Sequence, residues 1–128
     1  MANDSTDPTG GRAAGLGSAR RGVDEWRMER VTALALLPLS LWLIVSLVAL
    51  GSADRAAFVG WLGRPLPAFL IILTLIFSFR HAALGLQVVI EDYVHSGWKI
   101  PLLIAARLSC FAVGAAGVLA TLAIALHR

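Results

Sequence analysis

Cysteine is nearly absent. Cys110 is the single one in 128 residues, so the chain can form neither an internal disulfide nor a thiolate metal cluster. Lying inside an apolar block, Cys110 reads as a small packing residue. Also missing is the short apolar core near the start that a secretory signal needs; the first apolar block begins only near Val31. Asp4 and Asp7 argue against a mitochondrial transit peptide, which is usually poor in acids. Charged residues make up 15% of the chain, and the net charge of +3 comes mainly from arginines in the N-terminal segment. No fold with a basic face remains once the apolar blocks are set aside. These arginines therefore read as orientation and lipid-surface charges, and no nucleic-acid partner is expected.

Apolar residues, by contrast, reach 58%, where an ordinary globular domain holds roughly 45–50%. They fall into three blocks, each long enough for the ~20 residues a bilayer core requires. The expected fold class is an all-α membrane protein with three transmembrane helices, at about 31–50, 66–90 and 100–126. Residues 1–22, rich in Gly, Ser, Thr, Ala and Arg without apolar periodicity, are expected to form a flexible tail, with residues 23–128 as the membrane part. Trp26 is expected among the head groups. Residues 51–65 read as a short external loop with Phe58 and Trp61 at the interface, and 91–99 as a second loop. Pro38 falls inside the first span, where a proline can kink a helix. Pro101 falls in the first turn of the third, where its missing N–H costs nothing.

Three spans put the N-terminus and the second loop on one side, with Arg12, Arg20, Arg21, Arg27, Arg30 and Lys99; the other side has Arg55, Arg64 and Arg128. The positive-inside rule then predicts a cytoplasmic N-terminus and a periplasmic C-terminus.

The second span carries the chemistry. His81 opens the stretch HAALGLQVVIEDY, and Asp92 and Tyr93 close it where the helix reaches water. An ionisable group at membrane depth is costly enough to mark a candidate site. His81 and Asp92, eleven residues apart, fall within about 20° of one another on a helix, with the imidazole about 16 Å below the carboxylate. Gly85, one turn from His81, leaves room for a flat body such as a haem against the backbone; close helix packing is the other reading. An imidazole at this depth suits ligation of a b-type haem, or else a hydrogen bond to a neighbouring helix. Arg80 is too deep to reach head groups easily and has no visible partner in the spans, which points to another polypeptide or a cofactor. Arg107 reads as a snorkelling side chain. The third span carries a small-residue face through Ala106, Cys110, Gly114 and Gly117, suited to close helix contact and assembly.

The motif HAALGLQVVIEDYVH, with GLGSARRGVDEWRMERVTALALLPLSLW before it, resembles the hydrophobic membrane-anchor subunit of bacterial succinate dehydrogenase, respiratory complex II. The resemblance covers nearly the whole chain from Gly15. It implies that His81 is one axial ligand of haem b, and so an iron ligand, the second ligand coming from the other anchor subunit of the complex. It also implies that Asp92 and Tyr93 lie at a ubiquinone site, with the tyrosine hydroxyl on a quinone carbonyl, and that Arg30 lies near the haem propionates. Partners implied are that second anchor, the iron–sulfur protein and the flavoprotein of the complex, in the bacterial inner membrane, where the chain is non-catalytic alone. One departure is Ala83, where some relatives carry a bulky aromatic. Two other readings stay open: an anchor of a fumarate-reductase type or another haem b quinone oxidoreductase, and a non-redox scaffold or transporter component using His81 and Arg80 as a relay.

Overall fold

The computed structural model describes the backbone of residues 9–127 and the side chains of residues 22–127. Four helices follow one another: α1 (Thr9–Leu50), α2 (Arg55–Leu62), α3 (Pro65–Tyr93) and α4 (Lys99–Leu126). Every described element is helical. Three stretches, Gly22–Leu50, Pro65–Tyr93 and Lys99–Leu126, are long and apolar enough to cross a membrane. The expected tail over residues 1–22 lies partly outside the described residues; from Thr9 onward its backbone belongs to α1.

Local chemistry explains the boundaries. At the end of α1, Gly51 takes φ +54 and its N–H returns to the Leu47 and Val48 carbonyls, the left-handed cap glycine adopts without a Cβ penalty. Asp54 then caps α2, its carboxylate accepting from the Ala57 N–H at 2.8 Å. Pro65 opens α3, with φ preset and no donor to lose. α1 runs unbroken through Pro38.

Two expected boundaries are corrected. The external loop at 51–65 contains α2, because Asp54 supplies a cap and Phe58 and Trp61 supply a packing face. Trp61 stacks on Trp42 of α1 at 6.0 Å between ring centroids, and Phe58 lies against Trp61 at 5.9 Å. The second loop shrinks from 91–99 to 94–98, since α3 carries its backbone hydrogen bonds through Tyr93 and α4 starts at Lys99.

α3 is the middle element, packed between α1 and α4. Against α4 the approach is close: a Cβ added at Gly114 would stand 3.1 Å from the Phe79 ring, and one at Gly117 3.1 Å from Leu75. Cys110, Gly114 and Thr121 are buried along this seam. The small-residue face of the third span therefore serves contact within the chain, and it is α3 that fills it. Few other side chains are covered; Leu34, Leu37, Leu41 and Val48 on α1 and Ile104, Leu108, Phe111 and Leu119 on α4 all point outward. Outward apolar stripes are what spanning helices offer to lipid or to further helices.

Candidate functional site

His81 sits near mid-length on α3, about 18 Å from the Tyr93 end and about 24 Å from the Pro65 end at 1.5 Å per residue. Its Nδ1 lies 3.1 Å from Thr32 Oγ1 on α1. Thr32 is 2% exposed, the most deeply buried side chain described, and its hydroxyl also lies 2.9 Å from the Met28 and Glu29 carbonyl oxygens. One turn along from His81, a Cβ added to Gly85 would meet nothing within 4 Å. Among the described residues, then, Gly85 does not serve packing, and the space where its side chain would stand, one helical turn from the imidazole, is open. No group of three His, Cys, Asp or Glu capable of holding a metal occurs among the described residues.

About 9 Å from the Tyr93 end, a polar knot ties the three spanning helices together. Gln87, buried on α3, donates to Glu91 at 3.0 Å and to Glu25 of α1 at 3.4 Å, and its carbonyl oxygen accepts from the Arg107 guanidinium of α4. Arg107 thus has an amide partner on α3, where the sequence suggested only a snorkelling side chain. Burial of an amide with every polar atom partnered is what a membrane interior demands. A cleft of about 210 Å³ opens beside the knot between α1 and α3, edged by Glu25, Glu29 and Glu91. It is smaller than the roughly 300–1,000 Å³ typical of small-molecule sites.

The remaining expected residues stand apart. Asp92 is exposed and Tyr93 is 82% exposed; neither side chain has a hydrogen-bond partner among the described residues. Arg30 lies over the Trp26 ring, its guanidinium carbon 4.2 Å from the centroid, a cation–π contact. It projects about 200° around α1 from Thr32, so the chain does not aim it at His81. Arg80 is exposed on α3, with no hydrogen bond or ion pair among the described residues.

Sequence reasoning missed Thr32 and the knot. Gln87 and Arg107 were discoverable as polar residues in apolar spans. Thr32 carried no signal of its own, because its importance lies in a partner 49 positions away.

Compared with known proteins, residues 8–124 match the family described as succinate dehydrogenase/fumarate reductase transmembrane subunit. The chain is 39% identical over 83 residues to a succinate dehydrogenase hydrophobic membrane anchor subunit of Rickettsia bellii, covering 65% of this chain and 66% of that one. The counterpart of the same description from Rickettsia conorii is 36% identical over 84 residues, 65% and 67% of the two chains. That of Paracoccus denitrificans is 34% identical over 109 residues, 84% of each. The chain spans about two thirds of the length of the Rickettsia relatives it matches. No solved structure matches.

Proposed function

The chain belongs to the succinate dehydrogenase/fumarate reductase transmembrane-subunit family, and on that premise we propose that it is the hydrophobic membrane anchor of a succinate:ubiquinone oxidoreductase. It is a multi-pass protein of the bacterial inner membrane. The family spans succinate dehydrogenases and fumarate reductases; the relatives support the former.

In this reading the anchor docks a flavin and iron–sulfur dehydrogenase, holds one side of a b haem and forms part of the quinone pocket. The observation that carries it is His81, an imidazole held near the middle of a helix long and apolar enough to span a membrane, with open space at Gly85 one turn away, on the same helix that ends in exposed Asp92 and Tyr93. A bound haem would supply a one-electron store there. Among the described residues no group of three His, Cys, Asp or Glu could hold a metal, and His81 would share such a haem with a second anchor that supplies the other ligand.

Among the described residues the Tyr93 hydroxyl has no partner, so it is available to donate to a quinone carbonyl oxygen. That bond strengthens as the oxygen gains negative charge on reduction. Asp92, adjacent and exposed, is placed to pass protons from water. Electrons for that reduction would come from the dehydrogenase part of the complex, whose cofactors would supply the chemistry of succinate oxidation. Arg30 is the candidate for a haem propionate, which requires it to leave the Trp26 face. Arg27, Arg30 and Lys99 lie at the Tyr93 end of the bundle, and Arg55 and Arg64 at the other. With Arg12, Arg20 and Arg21 these charges support a cytoplasmic N-terminus and quinone mouth, and a periplasmic C-terminus.

The test is spectroscopic. The purified complex should show b-type absorption bands, and His81→Leu should lower or alter them. Unchanged haem content and spectrum in that variant would remove His81 as a ligand.

A further inference from the structure

We infer that Thr32 is the positioning residue for His81, fixing which ring nitrogen faces iron; the inference rests on the reading of His81 as a haem ligand. A threonine hydroxyl has one proton and two lone pairs. Here its oxygen lies 2.9 Å from two backbone carbonyl oxygens and 3.1 Å from His81 Nδ1. A carbonyl oxygen can only accept, so a hydroxyl that close to two of them must turn its proton toward them or suffer acceptor–acceptor repulsion. Donation to the carbonyl three or four residues back is also the usual habit of a helical threonine. With the proton committed, the oxygen can only accept from the ring. His81 therefore carries its hydrogen on Nδ1, and Nε2 keeps the lone pair that a metal needs.

Burial makes this assignment firm. Thr32 is 2% exposed, so water does not compete for its lone pair. The hydroxyl itself is anchored by α1, so it holds the imidazole at a set angle to α3. An Nδ1–H bonded to an oxygen also makes the ring a stronger electron donor to its metal, as hydrogen-bonded ligand histidines generally are. A stronger donor favours ferric over ferrous iron.

The experiment compares Thr32→Ala with Thr32→Ser, which differ by one oxygen, in the complete complex in its own membranes. Succinate oxidation by an artificial acceptor reports assembly, and redox titration with low-temperature EPR of the ferric haem reports the ligand. Thr32→Ser should match the parent. Thr32→Ala should raise the ferrous-to-ferric ratio at fixed ambient potential by about threefold to tenfold, a tenfold change being 59 mV for one electron, and should shift the EPR signature. Loss of haem from an assembled Thr32→Ala complex, with Ser loaded, would equally support the inference, since ligand support of this kind is worth about 10- to 100-fold in affinity. An unchanged potential and spectrum in Ala, or equal changes in Ala and Ser, would overturn it. Should Thr32→Ala not assemble, Thr32→Val, which keeps the bulk, is titrated instead; failure of both with Ser intact would show a purely structural hydroxyl and overturn it. None of these outcomes bears on the haem reading, which fails separately if the parent complex lacks b-type bands or His81→Leu leaves them unchanged.

Discussion

Tyr93 is 82% exposed and so far from complete as a binding site that its role depends on what a partner brings to it. If its hydroxyl bonds the quinone, Tyr93→Phe should slow succinate-to-quinone electron transfer by about 10- to 100-fold, the worth of one hydrogen bond to a charged acceptor. Succinate oxidation by an artificial acceptor, which draws electrons upstream, should stay near the parent rate with haem bound. Equal loss of both activities would point to faulty assembly. Gly85 offers a sharper contrast. Because a Cβ there meets nothing within 4 Å, Gly85→Leu should leave the chain's own packing intact yet lower haem content, read from the ratio of haem absorbance to protein. Retained haem would return Gly85 to a lipid-facing role. At this scale His81 stood out as a candidate because an ionisable group in an apolar helix carries a cost that sequence alone reveals, and Asp92 and Tyr93 because they close that helix where it reaches water. Thr32 and the use of Gln87 did not, since each gains meaning from a side chain on another helix.

Whole helices were easier to read than their joints. The three spans follow from runs of apolar residues that no other solvent accommodates, and their ends fell within three positions of those expected, except that the first starts at Gly22, on a helix that begins at Thr9, and not near Val31. α2 was missed because its eight residues form no long apolar run; Asp54 before them was the one signal, unread in the sequence, that marked a helix start. The small-residue face on α4 was legible as a contact surface, but not which helix it meets. Phe79 and Leu75 of α3 supply that answer. Gly114→Leu should therefore press the helices apart and cost about 1–3 kcal/mol, the usual range for overpacking, seen as a lower midpoint for thermal loss of the complex. A midpoint unchanged by Gly114→Leu would mean that the α3–α4 seam opens without penalty.

For the molecule as a whole, the decisive fact is how little of it is covered. Outward apolar stripes can face lipid, but Arg80 cannot do so cheaply. It lies about 20 Å from the Tyr93 end of α3, exposed and unpaired among the described residues. A guanidinium at the bilayer centre costs roughly 2.5–3.5 kcal/mol on insertion scales. Retaining it makes physical sense if a partner presents a carboxylate or another acceptor to it. The small-residue face of α4 no longer argues for missing helices, because α3 fills it; Arg80 and the bare Tyr93 now carry that argument. Expressed without the other members of its complex, the chain should accumulate poorly in membranes and turn over quickly. Arg80→Leu should act with opposite sign in the two settings. Alone, the variant should accumulate better than the parent, because an uncompensated charge has been removed. With the partners present, it should assemble less complex, because their acceptor is left without its cation. Quantitative blotting of membranes from both strains reads the two effects side by side, and a change of the same sign in both would show that Arg80 meets lipid or water rather than a partner.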